Sequence, residues 1–192
     1  LYHYAHLPAS HPHQQRIDAQ AMPDSVVKQA IFQDARAALL TADYLPIGLD
    51  HFARADDELS HAYRAGTLQR NFMGYTTQAG TDLLACGVSA ISDLRGHYWQ
   101  NEKKLARYYR ALEAGQLPAV RGLRLSNDDR LRRSVINELM CTGGIDFAAV
   151  AVREGIDFRA QFGDALDRLA SLASDGLLVL RPDAVQITER GQ

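Results

Sequence analysis

Only two of the 192 residues are cysteine, and Cys86 and Cys141 stand far apart. They lack the C-x2-C spacing of zinc sites and offer no disulfide framework, which argues against a structural zinc and for a reducing, cytoplasmic setting. Charge of neither sign is in excess: 21 Lys and Arg against 23 Asp and Glu leave a formal net charge of −2. Such a balance gives no overall attraction to nucleic acid or to an anionic membrane, so any basic site must be local. No stretch approaches the roughly 18 consecutive apolar residues of a transmembrane helix. The opening LYHYAHLP also lacks the basic-then-apolar order of a signal peptide. There is no initiator methionine, the first residues read as the end of a strand, and ITERGQ leaves the last strand uncovered. Both ends are therefore expected to be cuts inside a longer protein.

What is present is the composition of a globular chain, 46% hydrophobic and 23% charged, long enough for one large domain or two small ones. A polar, irregular loop is expected over 8–23. Asp24 then caps a helix running to about 43, with Val27, Ile31, Ala35, Ala38 and Leu39 on one apolar face. YLPIGLD (44–50) reads as a short buried strand delivering Asp50 and His51 to its end. A loop, DHFARADD, follows, and a short helix from Asp57 closes at Gly66. Strand, helix and strand in that order suggest a βαβ unit and a parallel sheet.

The stretch 67–96 holds Gly74, Gly80 and Gly87 among small hydroxyl residues and lacks helical periodicity. Two readings stand: backbone passing close to a ligand, or a plain surface loop followed by a buried strand over 83–91. A long helix is expected over 99–114, with Leu105, Tyr108, Tyr109 and Leu112 on one side. Beyond Gly122, Ser126 and Asp129 form a capping-box start to a helix through Met140. Helices over 147–153 and 158–173, the latter with Phe162, Leu166, Leu169 and Leu172 inward, and a hairpin around Arg181-Pro182-Asp183 complete a winged-helix order.

Four candidates carry chemistry. His3, His6, His11 and His13 invite a metal reading, but His3 and His6 fall on opposite faces of an extended segment, and loop residues with no shared ligand are the plainer account. In DHFARADDE, Asp50 and His51 suit a proton relay and Arg54 suits a carboxylate, while the same acids also suit helix starts. Arg70, before GYTTQ, suits an anionic ligand. The winged helix invites DNA, but its third helix carries Asp164, Asp167 and Asp175 against Arg159 and Arg168, so its face is acidic where phosphate binding needs Lys and Arg.

YAHLP, IGLDHFARADDEL, RNFMGYTTQAGTDLLACGVSAIS and RRSVINELMC together resemble the oxygen-independent coproporphyrinogen III oxidases, radical S-adenosylmethionine enzymes of heme biosynthesis, over essentially the whole chain. The resemblance implies an α/β fold in three parts. Residues 1–98 would be the C-terminal portion of a partial (β/α) barrel, 99–122 a connecting helix and linker, and 123–192 a small, mainly helical, winged-helix-like domain. It implies oxidative decarboxylation of two propionates of coproporphyrinogen III, giving protoporphyrinogen IX. The cofactors implied are S-adenosylmethionine and a [4Fe–4S] cluster, served by an electron donor, with no nucleic acid or membrane as partner. The oligomeric state is not implied. The family's C-x3-C-x2-C cluster motif does not occur here, so this segment alone is expected to be inactive and to ligate no metal.

By position, Ala5 and Ile91 match S-adenosylmethionine contacts of the family, and His51, Arg54, Arg70 and Gln78 stand as substrate-side candidates. The family's glutamine in NFQGYTTQ is replaced by Met73, so an amide able to bind a propionate becomes a thioether. The alternative function is a non-catalytic heme- or porphyrin-binding protein of the same superfamily, with His3 or His6 as axial ligand.

Overall fold

Asp24 accepts a hydrogen bond from the Val27 amide at 2.9 Å and starts helix α1 (Ser25–Thr41), as its position before the apolar periodicity predicts. The computed structural model describes residues 1–191. Strand β1 (Tyr44–Ile47) follows and turns through Gly48, Leu49 and Asp50 into β2 (His51–Arg54), with Ile47 opposite His51. The expected parallel βαβ unit is not formed. YLPI and HFAR are two arms of one hairpin, because Gly48 at φ +62 supplies a left-handed turn. HFAR, expected in a loop, is thus a strand, and every strand pairing among the described residues is antiparallel.

Asp57 caps α2 (Glu58–Arg64), accepting from the Leu59 amide at 2.8 Å. A second hairpin pairs β3 (Gln69–Asn71) with β4 (Gly74–Thr76). The strand expected over 83–91 shrinks to one bridge between Leu83 and Asp93, and β5 (Ile91–Leu94) begins where that expectation ended. The irregular segment before it is held by polar side chains. Ser92 Oγ accepts from the Ala85 amide, Asn101 Nδ2 donates to the Ala85 and Gly87 carbonyls, and Tyr108 Oη accepts from the Gly87 amide.

β5 continues into β6 (His97–Asn101) through Arg95 and Gly96, at φ 48 and 78, with Leu94 opposite His97. Two positive-φ residues between paired strands match the twist of a two-residue hairpin turn. That turn overrides the helix expected from residue 99. Tyr98 and Trp99 lie in a strand, where aromatics suit the pleated surface, and helix α3 is confined to Leu105–Glu113. Strand β7 (Ala119–Arg124) adds to β6 and completes a three-stranded sheet, which runs across residues 98–99 and 122–123.

Helix α4 (Asn127–Thr142) opens on the capping box read from the sequence: Asp129 accepts from the Ser126 amide while Ser126 Oγ accepts from the Asp129 amide. Then come β8 (Gly144–Asp146), α5 (Phe147–Glu154), α6 (Phe158–Ser174), β9 (Leu178–Leu180) and β10 (Ala184–Ile187), with β10 central in its sheet. The order helix, strand, helix, helix, hairpin is that of a winged helix. The main core is here: Ile145, Val150, Phe162, Leu166, Leu178 and Val185 surround Phe147 stacked on Phe158, ring centroids 4.4 Å apart. A smaller core joins Ile47, Ala53, Ala62, Leu68 and Tyr75 to Cys141 of α4. By contrast, the apolar faces of α1 and α3 find no full cover, with Val27, Ile31, Leu105 and Tyr109 exposed.

Phe158→Ala removes the ring at the centre of the larger core. It is expected to lower the unfolding free energy by about 3–5 kcal/mol in urea denaturation; a loss below about 1 kcal/mol would contradict this packing.

Candidate functional site

Tyr75 of β4 is buried, and its hydroxyl accepts from the Leu49 amide and donates to the Met140 carbonyl, each at 3.0 Å. One phenol therefore ties the β1–β2 turn to the end of α4. Burial raises its pKa above the ordinary value of about 10, with the Leu49 hydrogen bond opposing. The turn must be glycine at 48, because a Cβ there would lie 2.1 Å from the Tyr75 ring. His51 packs edge-on against that ring, centroids 5.0 Å apart, and its Nδ1 lies 2.7 Å from Asp50 Oδ1. The Asp50–His51 pairing expected from the sequence is thus formed, at a hairpin turn. A carboxylate on Nδ1 fixes the imidazole's orientation and leaves Nε2, beside Gly74, as the nitrogen free for a further partner.

Arg70 lies over the same ring, its guanidinium carbon 5.7 Å from the centroid. It lines a cavity of about 110 Å³ with Asn71, Phe72, Asp93, Tyr98, Arg133 and Asn137. Asp93 is buried in β5 and holds Arg133 of α4 by a two-point ion pair at 2.5 and 3.1 Å. The Arg133 guanidinium also sits 5.2 Å from the Tyr98 ring, whose hydroxyl pKa is raised by burial. Neither Asp93 nor Arg133 stands out in the sequence, since nothing local links positions 40 residues apart.

The remaining candidates are scattered. Ile91 opens β5 and lines a mostly apolar depression of about 210 Å³ with Phe72, Tyr98, Trp99, Leu123 and the hydrogen-bonded pair Gln100 and Arg121. Ala5 is exposed in the N-terminal segment, where the buried Gln14 fixes the backbone: its Nε2 donates to the Ala5 carbonyl at 3.2 Å and its Oε1 accepts from the Leu7 amide. Gln14 was not singled out in the sequence; a glutamine in a His-rich loop gives no sign of burial. Arg54 is exposed and paired with Asp56 at 3.4 Å, away from the cavity's lining. Gln78 is exposed, and Met73, with 80% of its surface accessible, points into solvent.

His3 lies tilted against Phe32, His6 Nδ1 lies 3.2 Å from the Tyr4 hydroxyl, and His11 meets His13 edge-on. Among the described residues no group of three His, Cys, Asp or Glu side chains is placed to hold a metal ion. An iron–sulfur cluster does not fit these residues, since Cys86 is exposed and Cys141 buried in a separate core. A nucleoside fits better: the Ile91 depression is mostly apolar and bounded by aromatic rings, and the Ala5 backbone is open to approach and held in place. No helix is long and apolar enough to cross a membrane.

Tyr75→Phe leaves the Leu49 amide and the Met140 carbonyl without their partner. It is expected to cost about 2–3 kcal/mol in chemical denaturation near neutral pH. The pH dependence has a definite sign. A folded-state pKa above the unfolded one makes Tyr75's contribution complete below about pH 10 and lost as the pH rises through the folded value. The variant is therefore expected to lose less stability than the wild type on going to alkaline pH; an equal loss would remove Tyr75 as the titrating group.

The profile of the HemN C-terminal domain matches residues 125–192. All 192 residues align, 43% identical, with the oxygen-independent coproporphyrinogen III oxidase of Salmonella typhimurium, of which they cover 42%. The counterpart from Thermostichus vulcanus is 42% identical over 193 aligned positions and is covered to 59%. Among solved structures, that described as "Coproporphyrinogen III oxidase (HemN) from Escherichia coli is a Radical SAM enzyme" superposes with a TM-score of 0.91 at 42% identity, covering 98% of this chain and 43% of that one. The chain thus spans less than half the length of the Salmonella and Escherichia proteins. Over its whole length it is a homologue of the C-terminal portion of the oxygen-independent coproporphyrinogen III oxidases.

Proposed function

We propose that the chain is the C-terminal part of an oxygen-independent coproporphyrinogen III oxidase acting in heme biosynthesis. The whole protein would convert two propionate side chains of coproporphyrinogen III into vinyl groups, each losing a hydrogen atom, one electron and CO2, to give protoporphyrinogen IX. The observation that carries this reading is the likeness of nearly the entire chain, in sequence and in structure, to the Escherichia coli enzyme. When bound and reduced, S-adenosylmethionine supplies the radical that starts this chemistry.

The contribution of these residues is binding and orientation. Ile91 offers the adenosyl group an apolar wall, and the Ala5 backbone, braced by Gln14, borders the same ligand. Arg70 and His51 flank the Tyr75 ring on the substrate side, with Gln78 at the tip of the following loop. Arg54, already paired with Asp56, is the weakest member of that set. Residues 1–98 complete a (β/α) barrel whose parallel strands belong to the longer protein, 99–122 join that part through the sheet of β5, β6 and β7 as well as through α3, and 123–192 form the winged-helix-like domain. The electron donor and the cluster ligands lie with the rest of the enzyme, in the cytoplasm, and this segment by itself is inactive.

An anaerobic assay of the longer protein, with its cluster reconstituted and S-adenosylmethionine and a reductant supplied, is expected to turn coproporphyrinogen III into protoporphyrinogen IX, read as protoporphyrin fluorescence after oxidation. The 192-residue chain alone is expected to give none. A longer protein that cleaves S-adenosylmethionine yet leaves coproporphyrinogen III unchanged would refute the assignment.

A further inference from the structure

Arg70 is a cation without a counterion. Its Nε is the one buried side-chain nitrogen or oxygen, among the described residues, that finds no hydrogen-bond partner. None of the ion pairs among those residues includes it. The acid that lines the same cavity, Asp93, has both oxygens engaged by Arg133. The Arg70 Nε, a donor withdrawn from water without a partner, carries a desolvation cost that an anion in the cavity would offset.

The cavity is shaped for a small anion. At about 110 Å³ it has room for a carboxylate and the short alkyl arm bearing it, and none for a ring system. Two further amides line it. Asn71 Oδ1 is occupied by the Met73 amide at 2.8 Å, which leaves the Asn71 NH2 group free to donate, and Asn137 adds a second such group. Phe72 and Tyr98 wall this cavity and also the apolar depression beside Ile91, Trp99 and Leu123. Phe72 meets Tyr98 edge-on at 5.1 Å, so the two hollows share an aromatic partition. A cationic hole walled by Phe72 and Tyr98 matches a carboxylate on a short apolar arm.

We propose that Arg70, with Asn71 and Asn137, binds the carboxylate of one propionate of the substrate, the macrocycle remaining outside the cavity and the Ile91 depression being left to the adenosyl group. The inference rests on the functional reading above and names the residue that anchors the reacting side arm. Holding the carboxylate beside the Ile91 depression sets the propionate methylenes next to the surface assigned to the adenosyl group. The Met73 thioether needs no replacement partner on this account, because the charge-bearing contact is made by Arg70. The same hole would also accept an aspartate or glutamate from elsewhere in the longer protein, and the test separates the two.

The test titrates full-length protein containing this chain, without S-adenosylmethionine, with coproporphyrin III and with its tetramethyl ester, read by porphyrin fluorescence. Arg70→Gln is expected to weaken binding of the free acid tenfold or more while the ester binds wild type and variant alike, and S-adenosylmethionine affinity stays unchanged. Arg70→Lys keeps the charge without the fork of donors and is expected to lose several-fold toward the acid alone; it carries the comparison if Arg70→Gln does not fold. Unchanged affinity for the acid, together with a lower melting temperature, would mean that Arg70 pairs with a carboxylate of the protein itself and would overturn the proposal. Wild-type protein that binds no coproporphyrin III would instead overturn the functional reading, and the ligand assignment with it.

Discussion

The buried hydroxyl of Tyr75 is the constraint around which the rest of this structure is arranged. A phenol inside a core must find partners for its O–H, and here the partners are backbone groups from segments far apart in sequence: the amide of Leu49 and the carbonyl of Met140. Several local features follow from placing the ring there. Position 48 has to be glycine, both for its φ of +62 and because a side chain would strike the ring. His51 and Arg70 take their positions against the ring's edge and face. Cys141, on the same helix as Met140, is buried beside them, and that burial pushes its thiol pKa up.

A second link reinforces the first. Buried Asp93 in β5 and half-buried Arg133 in α4 form a two-point ion pair over Tyr98, so α4 is fastened both to the β1–β2 turn and to the three-stranded sheet. Removing Arg133 would strand the Asp93 carboxylate in a poorly hydrated place, which makes the pair a strong guide to how the parts meet even where its net contribution to stability is small. The second fastening lines the Arg70 cavity. Of the functional candidates, His51 and Arg70 both lie against Tyr75, and Ile91 stands beyond Phe72 and Tyr98, whereas Arg54 and Gln78 lie on exposed loops or strand ends.

Much of the helical structure was legible because helix starts are local. Asp24, Asp57, Ser126 with Asp129, and the glycine-terminated ends of α4 and α5 can be read within four residues of where they act. Strands were not, since their pairing is decided by turns whose geometry the apolar pattern does not report. The Arg95-Gly96 turn folds Tyr98 and Trp99 into a sheet, although WQNEKKLARYYR carries a helical pattern from its first residue. The Gly48 turn likewise converts an expected parallel strand and loop into a hairpin. In the site, Asp50 with His51 was legible because the residues are neighbours. Gln14, Asp93 with Arg133, and Tyr75 with Met140 were not, because each relation spans from 9 to 65 residues and leaves no mark in spacing. The apolar faces foreseen on α1 and α3 do exist but stand exposed, consistent with a chain that matches only part of longer relatives.

Hydrogen exchange at the Leu49 amide tests the central role of Tyr75 most directly. Leu49 lies in a surface turn with 41% of its surface accessible, where an amide without an internal partner exchanges rapidly. The account predicts strong protection of that amide in the native protein and its loss when residue 75 is phenylalanine. Rapid exchange at Leu49 in the wild type, on a par with the loop amides around it, would contradict the claim that the Tyr75 hydroxyl holds this turn to α4.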